Sequence, residues 1–228
     1  MKTLAIVPAR GGSKRLKNKN IKFFFGKPIL QRTFNIIKKS GLFDKIILTT
    51  DSVKIRNIGK KIGFDLILNR DKKLANNKAT TLSVIKDTIS KHNNKEFKFV
   101  CCIYPCNPLL QTSDLKKTFN KIKKIKKKFI FPVCEYPHPL ERAFYLAGKK
   151  KNINFINKEN ANKNTQNFKK KYHDAGQFYW GKRLTWLNSR SIHNNAVGYE
   201  IPKFRAVDID DYSDWKKAEF IFLGMKKK

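Results

Sequence analysis

From residue 1 to about residue 134, apolar strand-like runs alternate with segments whose apolar residues recur at helical spacing. This alternation constrains the fold most, because repeated strand–helix units close into a parallel sheet covered on both faces. Strands are expected at Thr3–Val7, Lys45–Thr50, Asp65–Leu68, Phe97–Tyr104 and Phe129–Cys134, with the most apolar run, Phe97–Tyr104, at the centre. Helices are expected at Pro28–Ser40, Val53–Ile62, Ala79–His92 and from Ser113-Asp114 to Lys127. Pro28 suits a first helical turn, Ile29, Phe34, Ile36 and Ile37 supply an apolar face, and Gly41 is a stop. Leu82, Ile85 and Ile89 keep helical spacing in the third helix. The predicted class is α/β, a doubly wound and mostly parallel sheet with ligands beyond the carboxyl ends of its strands.

The pattern is lost between residues 135 and 171, where Pro137 and Pro139 precede a stretch rich in Asn and Lys. Two readings fit this stretch: a solvated insertion, or an arm that crosses to a second subunit. Regular structure resumes at His173–Trp180, a late strand is expected at Phe204–Ile209, and Asp211–Leu223 reads as the closing helix before a Lys226–Lys228 tail. With 228 residues and no internal repeat, one domain spanning 1–228 is expected, with 135–171 as the insertion or dimerisation arm.

The formal charge of +34 tempts one toward nucleic acid. However, the basic residues are 42 Lys against 9 Arg, beside 21 Asn and 23 Ile. A surface that grips phosphates or reads bases favours Arg, which pairs bidentately. The excess is therefore read as a solvated Lys surface, with only non-specific, salt-sensitive attraction to nucleic acid. No apolar run approaches the ~20 residues of a membrane span. Cys101, Cys102, Cys106 and Cys134 form no CxxC pair and suit reduced, buried thiols, and the N-terminus lacks a signal-peptide pattern. A cytoplasmic protein is expected.

Two stretches carry chemistry. After the first strand, Ala9, Arg10, Gly11, Gly12 and Ser13 open a loop with further cations at Lys14, Arg15, Lys17 and Lys19, followed by Asn20. Backbone N–H groups of a glycine-rich loop can form a concave anion site, and fixed cations neutralise phosphate charge. The loop lacks the Gly-Lys-Ser/Thr of a P-loop and the third glycine of a dinucleotide fingerprint. It suggests a polyphosphate without specifying one, and Arg15 and Lys17 read as surface. At the other end of the chain, Asp208 and Asp210 are two apart, so on an extended strand their carboxylates share a face. Two adjacent carboxylates repel, and a hard divalent ion offsets that cost. Helix capping accounts for Asp211 but not for Asp208, which lies inside an apolar run. A polyphosphate loop and a carboxylate pair together suggest Mg²⁺-dependent nucleotidyl transfer. A turn, Tyr104-Pro105-Cys106-Asn107-Pro108, ends the central strand, and an aromatic cluster runs from Tyr172 to Trp180. Spacing alone leaves the turn as structural or ligand-facing. The aromatic cluster reads as core more readily than as a site, and His173 has no nucleophile beside it.

With these residues in view, the sequence resembles the cytidylyltransferases that activate nonulosonic (sialic-type) acids. The resemblance covers nearly the whole chain. It runs through Ala5-Ile6-Val7-Pro8-Ala9-Arg10-Gly11-Gly12-Ser13-Lys14, Lys19-Asn20, Arg70 before Leu74-Ala75, Tyr104–Leu109 and Val207–Asp210. Pro137–Ala143 and Asp174-Ala175-Gly176-Gln177-Phe178-Tyr179-Trp180 resemble the pseudaminic acid branch, where the sialic acid branch has an Asn-Gly-Ala type sequence at the latter place. The resemblance implies a Rossmann-like sheet of the nucleotidyltransferase type, and a reaction of CTP with a nine-carbon α-keto acid sugar to give a CMP-sugar and pyrophosphate. It implies that Arg10, Ser13, Lys14 and Lys19 hold the triphosphate, and that Asn20, Arg70 and Thr81 lie near ribose and base. Asp208 and Asp210 would bind Mg²⁺, while Tyr104, Cys106, Asn107, Gln177, Phe178 and Tyr179 would face the sugar, in a homodimer. The chain departs from the family where Asn76-Asn77-Lys78 replaces an acidic residue and where Cys106 replaces Thr or Ser. A CMP-sialic or CMP-legionaminic acid synthetase is the alternative within this class, and a basic nucleic-acid-binding protein the alternative outside it.

Overall fold

The computed structural model describes residues 1–13, 15–76, 78–91, 95–126 and 128–226. Lys14, Asn77, His92 and Lys127 therefore lie outside the described residues, as do the last two residues of the expected tail. The strands are β1 (Lys2–Pro8), β2 (Phe23–Phe24), β3 (Lys27–Pro28), β4 (Lys45–Thr50), β5 (Leu66–Asn69), β6 (Phe97–Ile103), β7 (Phe129–Glu135), β8 (Phe144–Ala147), β9 (Asn152–Phe155), β10 (Tyr172–Asp174), β11 (Phe178–Lys182) and β12 (Ala196–Glu200). The helices are α1 (Ile29–Ser40), α2 (Val53–Ile62), α3 (Thr81–Lys91), α4 (Thr112–Lys124), α5 (Arg183–Asn188) and α6 (Tyr212–Lys226).

The main sheet runs β5-β4-β1-β6-β11-β7, with β10 and β12 also paired to β7. The first four strands are parallel, and β6 stands near the middle, as its apolar sequence requires. β11 is antiparallel to β6 and wedges between β6 and β7. Because β12 occupies the opposite side of Ile130 and Val133, β10 and β11 run in succession along one side of β7, broken at residues 175–177. Alternation in β1 sends Ala5 and Val7 to one face, with α1, α2 and α4, and Leu4 and Ile6 to the other, with α3 and α5. All of these side chains are fully buried.

Three expectations are corrected. Phe204–Ile209 is not a strand: Lys203–Arg205 forms one 3₁₀ turn, and residues 206–210 have no ladder partner among the described residues. This segment still alternates, because Val207 and Ile209 insert into a small cluster with Leu16, Phe24, Leu109 and Trp215 beside the sheet. Its position is set by side-chain burial rather than by sheet hydrogen bonds. The stretch 135–171 is not patternless either. β8 and β9 form an antiparallel hairpin in register Phe144↔Phe155 to Ala147↔Asn152, turned at Gly148 with φ 67° and Lys151 with φ 53°. Finally, α5 and β12 lie where sequence pattern gave no element. Trp186 of α5 anchors there by donating its indole N–H to the Val100 carbonyl at 3.0 Å.

Candidate active site

The parallel strands end on one edge, and because β11 is antiparallel its beginning lies at the same edge. A cleft of about 590 Å³ opens there. Its floor is the end of β1, where fully buried Ala9 donates its N–H to the Thr49 carbonyl at 3.0 Å. The loop that follows is fixed from below: buried Asn20 donates from Nδ2 to the Arg10 carbonyl at 2.9 Å. The Gly11 N–H is not free for an anion, because it donates to Asp51 Oδ1 at 2.9 Å. Glycine is required here, since a Cβ on Gly11 would stand 2.8 Å from Ser52 Cβ. Gly12 lies outside the cleft lining, whereas Arg10, Ser13, Arg15, Lys19 and Asn20 face in.

The carboxylate pair lines the same cleft. Arg15 is exposed, as expected, but also lines the cleft and donates to Asp210 Oδ2 at 2.6 Å. Lys19 Nζ donates to the Ile209 carbonyl at 2.5 Å and lies 3.4 Å from Asp210 Oδ1. Lys17 is exposed, as expected. Asp208 meets solvent in the cleft, but the surrounding walls raise its carboxyl above the ordinary range, with the charge of Asp210 adding and Lys19 opposing. Gly176, at φ 62°, lets the turn before β11 pass close by, with its Cβ position 3.7 Å from Asp208 Cγ. Both carboxylates expected from the extended-strand argument thus line one cleft, although the segment is not a strand.

On the far wall, Arg70 is 5% exposed and donates to the Thr49 carbonyl at 2.9 Å, and burial lowers its pKa. Its Nε has no partner in the described structure. The Thr81 hydroxyl lies 2.6 Å from that of Tyr104, whose phenol burial pushes up to about 12. Cys106 also lines the cleft, with its thiol pushed up to about 12 by burial, so it stays protonated at neutral pH.

The remaining sugar-facing expectations lie behind the wall. Phe178 is fully buried in the core on the α4 side, because alternation along β11 points it away from Tyr179, which packs against Phe131 and Tyr104. Asn107 and Gln177 are 3% and 1% exposed, with Asn107 Nδ2 and Gln177 Oε1 unpartnered. Sequence reasoning gave no role to Asp51, nor to Asp174, which accepts from Gly176 N–H, Tyr179 O–H and His193 Nε2, each at 2.8 Å. Asp51 closes β4, and its place at a strand's carboxyl end was the available signal.

Two carboxylates in one cleft, one of them disfavoured as an anion, fit a divalent cation that neutralises both. Among the described residues no group of three or more His, Cys, Asp or Glu side chains gathers. Two carboxylates with substrate oxygens completing the shell is a Mg²⁺-like donor set rather than a closed protein cage. Fold and cleft define the class: an α/β protein that can hold a polyphosphate between a cationic loop and a carboxylate pair. The chain belongs to the cytidylyltransferase family, whose model matches residues 4–222. It is 33% identical to the pseudaminic acid cytidylyltransferase of Campylobacter jejuni, over 97% of each chain. It is 27% identical to the N-acylneuraminate cytidylyltransferase of Escherichia coli, over 99% of this chain and 53% of that one. A solved CMP:2-keto-3-deoxy-manno-octonic acid synthetase in complex with CTP shares the fold, with TM-score 0.72 and 13% identity over 99% of this chain and 100% of that one.

Proposed function

We propose that the protein transfers the cytidylyl group of CTP to the anomeric hydroxyl of pseudaminic acid, releasing pyrophosphate. The observation that carries this reading is the meeting of Arg10, Ser13, Arg15 and Lys19 with Asp208 and Asp210 in one cleft. The cationic side chains take the triphosphate and draw charge from the departing pyrophosphate. Arg70 and Thr81 lie on the wall toward ribose and base. Asp208 and Asp210 would hold Mg²⁺, which when bound supplies further charge neutralisation at the phosphates. Tyr104 and Cys106 bound the sugar end, and the unpartnered Asn107 Nδ2 and Gln177 Oε1 suit polar sugar substituents reached by a small shift of the wall.

The pseudaminic acid assignment is supported by the higher identity to that branch than to the N-acylneuraminate enzyme. Four free thiols suit a reducing, cytoplasmic setting. On one face of the hairpin β8–β9, the cross-strand pair Leu146 and Ile153 is 57% and 58% exposed, apolar area that supports the homodimer. With CTP and Mg²⁺, pyrophosphate release is expected with pseudaminic acid and not with N-acetylneuraminic or legionaminic acid. Turnover confined to either of the latter overturns the sugar assignment. For the dimer, sedimentation should show two chains in the wild type and one in Leu146→Glu/Ile153→Glu; a monomeric wild type ends that reading.

A further inference from the structure

The segment that bears Asp208 and Asp210 has no sheet partner among the described residues, so something else must hold its backbone in place. Downstream, Asp214 Oδ2 accepts from the N–H groups of Asp210 and Asp211 at 3.0 and 3.2 Å, fixing that end to α6. Upstream, the chain enters through Arg205, which is 9% exposed. Its guanidinium donates to Asp114 through Nη1 to Oδ2 and through Nη2 to Oδ1, the second at 3.4 Å. Asp114, 3% exposed in the first turn of α4, also accepts from the Tyr199 hydroxyl of β12 at 3.1 Å. The Arg205 carbonyl accepts from Gln177 Nε2 at 2.8 Å, and the Gln177 carbonyl accepts from the Tyr104 N–H at 3.0 Å. One buried fork thus joins three cleft walls: the carboxylate segment, the turn leading to α4 and the turn before β11.

We propose that Arg205 and Asp114 are positioning residues that set the Asp208–Asp210 backbone for divalent-cation binding, an inference that rests on the proposed nucleotidyl transfer. Neither side chain lines the cleft. A buried ion pair is weak as a source of stability, since apolar replacements of similar volume often cost nothing. That property separates positioning from folding. The double variant Asp114→Leu/Arg205→Met removes both charges together and should unfold near the wild-type temperature. With CTP present, Mn²⁺ titrated calorimetrically into the double variant should bind at least about tenfold more weakly, because a ligand segment freed from its anchor must be reordered on binding. Amide exchange at residues 206–210 should rise at least about tenfold with β1 and β6 unchanged, as expected when a local anchor is lost. A folded double variant with wild-type Mn²⁺ affinity, or with unchanged exchange at 206–210, overturns the proposal. A wild-type protein that binds no Mn²⁺ in the presence of CTP overturns the functional reading beneath it. That result is distinct from failure of the fork, in which both proteins bind the ion equally.

Discussion

Replacing Asp210 by Asn should affect two measurements in opposite directions. Its carboxylate lies 2.6 Å from Arg15 and 3.4 Å from Lys19, two cations assigned to the triphosphate. Partly exposed pairs of this kind contribute about 0.2–1 kcal/mol each, so the two together hold the cations back by about 0.4–2 kcal/mol. The Arg15 side chain is 68% exposed and that of Asp210 40%, which places the sum toward the lower end. At 1.4 kcal/mol per factor of ten, metal-free CTP should bind Asp210→Asn about two- to fivefold more tightly than wild type. The same loss should lower the melting temperature by only about 1–4 °C, offset in part by relief of the Asp210 repulsion that adds to burial in raising the Asp208 carboxyl. Turnover with Mg²⁺ should fall by more than the roughly 10- to 100-fold that losing an outer partner of a metal ligand costs. Calorimetric CTP titration in chelator and pyrophosphate release with Mg²⁺ measure the two effects. Wild-type turnover, or weaker metal-free CTP binding, would refute the reasoning.

Three further outcomes follow from packing and titration. Gly11→Ala puts a Cβ 2.8 Å from Ser52 Cβ, and displacing the loop at a cost of about 1 kcal/mol or more should raise the KM for CTP at least about fivefold; an unchanged KM counts against the loop's role. Gly59→Ala brings a Cβ within 2.4 Å of buried Leu48 Cδ2, so calorimetry should show a melting temperature lower by about 2–12 °C, from 1–3 kcal/mol of overpacking, with CTP binding intact. The Thr3 backbone N–H, 2.6 Å from Asp44 Oδ2, holds that carboxyl below its ordinary value of 3.8, with burial opposing. The folded value is the lower one, so this contribution is present above the unfolded value and disappears as pH falls through the folded one. Unfolding midpoints of wild type and Asp44→Asn should therefore converge below about pH 4; a gap that stays constant down to pH 2 contradicts the assignment.

The alternation of runs in the first 134 residues determined the sheet, its parallel half and the central place of β6, because a two-residue and a 3.6-residue period each send side chains to defined faces. Arg10, Ser13, Lys19, Asn20, Asp208 and Asp210, which all line the cleft, stood out in the sequence because a cationic glycine loop and a carboxylate pair are uncommon local compositions. Other features were settled by contacts between residues far apart in the chain, which no local pattern encodes. Arg15 looked like one more cation among many until the fold placed Asp210, 195 positions away, against it. Phe178 sat in a stretch resembling a sugar site, yet β11 entered the sheet antiparallel and sent that ring into the core. The 206–210 segment kept the alternation of a strand while taking its hold from Arg205, Asp214 and a small apolar cluster. Sequence by itself determined that a cationic glycine loop stands near one end of the chain and a carboxylate pair near the other. Only the tertiary structure decided that the two ends meet, because that meeting depends on where the strand ends converge and on the long-range buried contacts that hold the unpaired segment there.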